Sequence, residues 1–464
     1  MGEITSAFKI EFGRITPFSE KEKHNSIYSV AHQAGCATQT QNYYSMQRRD
    51  FIRSASLTGA AILVSAPGTQ ANTMAVGSAP SKMKITKIRY YGAPGYNKPL
   101  FNQARGIVEV ETDAGIVGIG EGGSKDMLEQ CAQMVIGEDP FRIEHLWQNL
   151  YRGMFYPPGR EKLHALGALE MALWDIKGKA LGVPVYDLLG GATREYIECY
   201  ATGFRASKGT TEYERANDCI AAGLRSYRTG PTGGNGEERF DFYENAQKTI
   251  EHCKKMDDAV GGGGKWAIDL HTRFDTPEAI KICDSIEKLE PYFVEDIVRS
   301  ENPGVYRTIR QMTKVPIAVG EQFGDRWDIN ELIENSLIDY SRVTLPNSGG
   351  ILELKKIAAI AETHYVGMIP HFTGPLSTAA LAHVLGSCSP SRCMMELVGG
   401  EAEKPPYFNE DYILFKEGKI YLNPAPGLGV KFDPKKATFI MEIVNKTKFP
   451  HPVLQSKDGA IHGW

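Results

Sequence analysis

At 464 residues, with 42% hydrophobic and 23% charged residues, the chain has the composition of an ordinary soluble globular protein and the length for two domains or one large barrel with additions. A net charge of −4 leaves no basic footprint, so nucleic acid is excluded as an expected partner. Eight cysteines are scattered without CxxC or CxxH spacing; neither a zinc site nor a disulfide framework is indicated, and Cys199, Cys283 and Cys393 read as small core residues.

In chain order, the first feature is MQRRDFIRSASLTGAAILVSAPGTQA, which starts at Met46. Arg48 and Arg49 precede Phe51 and an apolar stretch from Leu57 to Ala66 that is too short to span a bilayer. The segment resembles a twin-arginine signal, whose route exports folded proteins. Met46 is therefore expected to be the biological start, with 1–45 a non-native or disordered extension and 46–82 signal and linker. The expected location is the periplasm, with the cytoplasm as the alternative, and no run elsewhere approaches a membrane span.

Ordered structure is expected from Met83. KITKIRYYGAP and GIVEVETDAGIVGIGEG read as strands, with Asp113, Ala114 and Gly115 as a hairpin turn. Helical patterns run from about Met127 to Met154 and from Glu161 to Leu181, so 83–195 is read as a small α+β domain. From Glu198 the rhythm changes to strand, loop, helix. ECYATG, RSYRTG, KWAIDLH, PYFVEDI, PIAVGEQ, YSRVTL, VGMIPH and CMMELVG are eight strand candidates, and helices between them predict a parallel (β/α) barrel over 196–400. After Gly400 the alternation stops. The stretch 401–464, with DYILFKEGKIYL as a hairpin, is expected to pack back on the first domain.

Three of these runs close on an acid: Asp269, Glu295 and Glu321, each 26 residues after the last. One carboxylate at the C-terminal end of each of three consecutive strands places all three on one rim of a barrel, where active sites are built. Three converging hard oxygen ligands suit Mg²⁺.

The segments HALGALEMALWDIKGKALGVPVYDLLGG (164–191), IDLHTRF, FVEDI and AVGEQ resemble the enolase superfamily, in its mandelate racemase/muconate lactonizing-like branch. SGGILELKKIAAIAE, MIPHFTGPLSTAALAH and the closing PHPVLQSKDGAIHGW extend the likeness, the last of them to acid-sugar dehydratases of the galactonate and mannonate dehydratase kind. The resemblance covers essentially all of 83–464. It implies an α/β fold, a modified (β/α) TIM barrel with an α+β capping domain built from the N-terminal region and the C-terminal tail. It also implies Mg²⁺, with Mn²⁺ as a substitute, on Asp269, Glu295 and Glu321. The implied chemistry is abstraction of a proton next to the carboxylate of a small sugar acid, and the implied assembly is a homo-oligomer.

The resemblance also assigns roles, with departures. His271 lies two residues past Asp269, and strand alternation would turn it to the same side as the metal ligands, where dehydratases of the branch carry a general acid. His371 ends the seventh strand at the position of the base. The aspartate that normally orients this base is replaced by Thr344, and Asp339 starts that strand too far away. On the second strand, racemases and cycloisomerases of the branch carry Lys-x-Lys; here Arg228 and Gly230 stand instead. A guanidinium is a poor base but binds carboxylates, so Arg228 is read as substrate-binding. Glu396 matches a catalytic glutamate that hydrogen-bonds the substrate carboxylate if it is protonated or a neighbour supplies the proton. Arg273 and Gln322 are read either as contacts to substrate hydroxyls or as supporting packing. Tyr156, Pro157, Pro158 and Arg160 form either a capping loop or a rigid surface loop.

These readings lead to a sugar-acid dehydratase that gives a 2-keto-3-deoxy acid. A cycloisomerase or epimerase, and a non-catalytic carbohydrate-binding protein on a decayed scaffold, are the alternatives.

Overall fold

The computed structural model describes residues 82–96, 105–153, 155–233, 239–372, 374–447 and 453–463. The chain divides into two units, Met1–Ala75 and Val76–Trp464, and every described residue lies in the second. The signal-like segment lies outside the described residues. No helix among them is long and apolar enough to cross a membrane.

The first layer is an antiparallel sheet of β1 (Ile85–Gly92), β2 (Gly106–Thr112) and β3 (Val117–Glu121), joined on its other edge by β14 (Thr438–Ile443) from the end of the chain. The β2–β3 turn falls where Asp113-Ala114-Gly115 predicts it, and Gly115 at φ +74° supplies the left-handed residue it needs. The single helical pattern expected from Met127 to Met154 is two helices, Lys125–Val135 and Ile143–Arg152. Gly137 at φ +82° and Pro140 break the run. The long helix Arg160–Leu181 is buried almost all round, between β3 and the barrel. It sits so close to the sheet that a Cβ on Gly118 or Gly120 would lie 2.1 or 1.8 Å from the Ala172 or Ala168 carbonyl oxygen.

The eight barrel strands are β4 (Tyr196–Thr202), β5 (Tyr227–Thr229), β6 (Trp266–Asp269), β7 (Val294–Glu295), β8 (Ile317–Val319), β9 (Tyr340–Ser341), β10 (Gly367–Met368) and β11 (Met394–Val398). Each falls on one of the eight predicted runs. Neighbours from β4 to β10 pair in parallel, β11 pairs in parallel with β4, and one parallel bridge, Met368–Cys393, links β10 to β11. The pairing therefore runs full circle, with a helix after each strand except β11.

Alternation along the strands sorts the barrel interior into layers. Tyr200, Ala267, Phe293, Ala318, Tyr340, Ile369 and Met394 form one apolar cluster. Two residues further along the same strands come Thr202, Asp269, Glu295, Gly320, Arg342, His371 and Glu396. A greasy plug thus supports a polar layer at the C-terminal rim.

The tail divides between the two layers. The hairpin β12 (Leu414–Lys416) and β13 (Lys419–Tyr421) extends the barrel sheet, where β13 pairs antiparallel with the N-terminal half of β4, Ile420 opposite Ile197. Only β14, further on, joins the first sheet, with Met441 opposite Tyr90.

Candidate active site

Asp269 and Glu295 close β6 and β7 directly opposite one another, and Glu321 follows the end of β8. One carboxylate oxygen from each lies within 4.8 Å of the others. Such crowding disfavours ionisation. Burial, then the Glu295 charge, pushes Glu321 up to about 8, and burial also raises Glu295. Asp296, the next residue after Glu295, is buried, has an Oδ2 without a hydrogen-bond partner, and is pushed well up by burial and the same neighbours.

Two guanidiniums answer part of this charge. Arg342 is fully buried; its Nε is 2.5 Å from Glu295 Oε1 and its Nη2 is 2.7 Å from Glu396 Oε2, while Nη1 donates to the Tyr200 hydroxyl and, at 3.2 Å, to the Ile369 carbonyl. Arg228 Nη1 donates at 2.7 Å to both Asp269 Oδ2 and Glu295 Oε2, Nε donates at 2.9 Å to Thr202 Oγ1, and Nη2 is 3.2 Å from Glu396 Oε1. Among the described residues Asp269, Glu295 and Glu396 thus share two arginines, with the carboxyls of Glu321 and Asp296 beside them. A divalent cation on the Asp269, Glu295 and Glu321 oxygens fits both this excess charge and the hard donor set.

These contacts change two sequence readings. Arg228 is not an open substrate-binding residue, because its donors are taken by two members of the acid trio, by Thr202 and by Glu396. Burial would raise the Glu396 carboxyl, but Arg228 and Arg342 override it and hold it well below the usual carboxylate range. It anchors the two arginines, so a proton shared with a substrate carboxylate would have to come from a neighbouring group.

The histidines flank the trio. His371 Nε2 lies 3.1 Å from Glu321 Oε2, and burial pushes the imidazole down to about 4, so it is neutral at physiological pH. It lines a cavity of about 520 Å³ with Glu321, Gln322, Thr344, Arg160 and His164. His271 lines a second cavity of about 320 Å³ with Asp269, Arg228, Arg273 and Glu212. The reason given for its placement needs correcting: β6 ends at Asp269, and His271 and Thr272 have φ +50° and +55°, so the strand pleat does not extend to them. A tight turn brings His271 to the site instead, its backbone N–H donating to Asp269 Oδ1 at 2.6 Å. Left-handed non-glycine residues of this kind concentrate at functional sites.

Arg273 and Gln322 reach different cavities. Arg273 Nη1 donates at 2.5 Å to the Gly233 carbonyl, and the Gln322 Oε1 accepts the Ser300 N–H at 3.2 Å. Thr344 lines the His371 cavity, and Asp339 is at the far end of β9, paired with Arg310 at 2.6 Å. Phe155 and Tyr156 in the Pro-rich stretch are exposed, while Arg160 bonds the Gln322 carbonyl and pairs with Asp328. Sequence reasoning missed Arg342, His164 and Asn347. His164 Nε2 bonds Asn347 Oδ1, and Asn347 Nδ2 donates at 2.7 Å to the Glu321 carbonyl, which ties the long helix to a trio member. The available signal for Arg342 was a charged residue inside the strand run YSRVTL, in phase with Thr344.

Comparison with known proteins agrees with this architecture. The family model for the mandelate racemase/muconate lactonizing enzyme N-terminal domain matches residues 100–190, and the enolase C-terminal domain-like model matches 212–436. The D-galactonate dehydratase of Xanthomonas oryzae pv. oryzae is 33% identical over 405 residues, covering 82% of this chain and 100% of the relative. The chain belongs to the mandelate racemase/muconate lactonizing enzyme family. A D-galactonate dehydratase family member of Streptomyces bingchenggensis is 32% identical over 394 residues, 77% of this chain and 93% of the relative. Among solved family structures, a member of the enolase superfamily from Salmonella Typhimurium superposes with a TM-score of 0.70 at 26% identity, over 78% of this chain and 100% of that one. An enolase from Pantoea ananatis with bound D-gluconate and Mg gives 0.68 at 26% identity, over 76% and 94%. In this member of the family the rim acids stand at the C-terminal ends of the barrel strands, the face on which (β/α) barrels build active sites.

Proposed function

We propose that this hydro-lyase dehydrates an aldonic acid to a 2-keto-3-deoxy acid, with Mg²⁺ as its cofactor. The observation that carries the reading is the acid trio flanked by two histidines in separate cavities, His371 beside Glu321 and His271 beside Asp269. The relatives named D-galactonate dehydratase and the gluconate-bound neighbour support the aldonate class.

A proton next to a carboxylate is very weakly acidic, because its loss leaves a second negative oxygen. When bound, Mg²⁺ supplies the positive charge that offsets this build-up. Neutral His371 takes the α-proton on its imidazole. On a substrate that lies across the trio and reaches both cavities, His271 gives a proton to the departing β-hydroxyl, so the Cα–H and Cβ–O bonds break, a Cα–Cβ double bond forms and water leaves. The enol then takes a solvent proton at C3 and becomes the keto acid. Arg228 and Arg342 hold Glu295 and Glu396 in place throughout.

Two histidines flanking the trio also suit epimerisation by proton return on the opposite face, and that is the second reading. The test incubates the enzyme and Mg²⁺ with D-galactonate, D-gluconate and D-mannonate and identifies products by NMR. A 2-keto-3-deoxy acid from one of them is expected. Epimers without any keto acid would replace the dehydratase by the second reading.

Two further proposals rest on sequence alone. The Arg48-Arg49 segment supports export to the periplasm, tested by fractionation of cells making the full chain. Family likeness supports a homo-oligomer, tested by light scattering.

A further inference from the structure

Cys388 ends the helix Pro375–Ser387 and Cys393 directly precedes β11. Their Sγ atoms are 3.7 Å apart, the only thiol–thiol contact of hydrogen-bonding length among the described residues. Both are buried, at 1% and 8% exposure, under a short loop whose Ser389, Ser391 and Arg392 face solvent. The loop is pinned: Arg194 Nη2 donates to the Cys388 and Pro390 carbonyls at 2.8 and 2.9 Å, and Lys355 Nζ donates to that of Ser387. Cys393 also forms the single bridge, to Met368, that joins β10 to β11. The pair thus sits at the thinnest seam of the barrel, before the start of β11, while Glu396 and the site lie further along the strand.

We propose that Cys388 and Cys393 are a disulfide-forming pair that locks the β10–β11 seam when the protein meets a disulfide donor such as oxidised glutathione. The Arg194 guanidinium on the Cys388 carbonyl and the Lys355 ammonium on that of Ser387 put positive charge beside Cys388 and favour its thiolate as the first nucleophile. Its thiolate attacks one donor sulfur, the donor S–S bond breaks and one thiol leaves. Cys393 then gives up its proton and attacks Cys388 Sγ, expelling the second thiol. Two protein thiols are oxidised and one donor disulfide is reduced to two thiols. The scattered spacing of the cysteines gave no hint of this pair, since only the loop fold brings residues five apart into sulfur contact.

The test treats the purified full chain with oxidised glutathione, then denatures, alkylates without reduction and digests with trypsin. Cleavage after Arg392 separates the two cysteines, so a disulfide joins two peptides that part on reduction. The expected result is that linked pair and two fewer alkylated thiols per chain, both absent in C388S and C393S. The melting midpoint of the oxidised wild type is expected to exceed that of the reduced protein by roughly 2–5 °C. Complete alkylation of both cysteines after oxidation, a glutathione adduct in place of the linked pair, loss of two thiols in C393S, or a midpoint that does not rise would each overturn the proposal.

Discussion

Replacing Arg342 by methionine tests the charge balance of the barrel centre. The side chain is fully buried and pairs with Glu295 at 2.5 Å and Glu396 at 2.7 Å. Methionine keeps much of the volume and removes the charge. Glu295 and Glu396 would then share Arg228 alone, with Asp269 competing for the same guanidinium. Breaking a buried ion pair by removing one partner costs about 3–5 kcal/mol, because the remaining charge is stranded out of water. In a chain of this size that corresponds to a fall in melting midpoint of roughly 4–6 °C. Adding E396Q to R342M removes one stranded charge and should recover part of the loss. Mg²⁺ should stabilise R342M more than wild type, since a competing positive charge beside the trio has gone. Differential scanning fluorimetry with and without Mg²⁺ measures all three. An R342M midpoint within 2 °C of wild type in metal-free buffer would refute the reasoning.

Metal-free protein should lose stability as pH rises from about 5 to 8. Glu321 is pushed up to about 8 in the fold, so the native state holds a proton there that the unfolded chain has already released above its ordinary carboxylate value, and stability falls through that window. Saturating Mg²⁺ should flatten this part of the slope; urea titrations at several pH values check it. The slope contributed by buried Glu121 and Glu170, both also pushed up to about 8 by burial, should persist with metal. E295Q should weaken Mg²⁺ binding roughly 100-fold or more by calorimetry, and an unchanged affinity would move the metal elsewhere. G120A drives a methyl to 1.8 Å from the Ala168 carbonyl oxygen and should cost about 1–3 kcal/mol or more by separating helix and sheet. A neutral result would mean that the two are not locked together.

The barrel was legible because each strand is a short apolar run with a polar residue where it reaches the rim, and PYFVEDI or PIAVGEQ shows this without any partner in view. The acid trio was legible for the same reason. Contacts between residues far apart in the chain were not. Arg342 meets Glu396 and Tyr200 only because β9, β11 and β4 face one another across the barrel. Arg228 reads as a free carboxylate binder until the same closure surrounds it with acids. His271 lies beside Asp269 through a left-handed turn, which cannot be read from strand alternation. The DYILFKEGKIYL hairpin shows its turn but not the strand it will join.

The most direct test of the central claim follows the α-proton and the water separately, by NMR in D₂O with Mg²⁺ and a turned-over aldonate. Wild type should give the 2-keto-3-deoxy acid carrying one deuterium at C3. H371N should give neither product nor α-proton exchange, while H271N should still exchange the α-proton without losing water. Undiminished α-proton exchange in H371N would contradict the assignment of His371 as the base beside the metal trio.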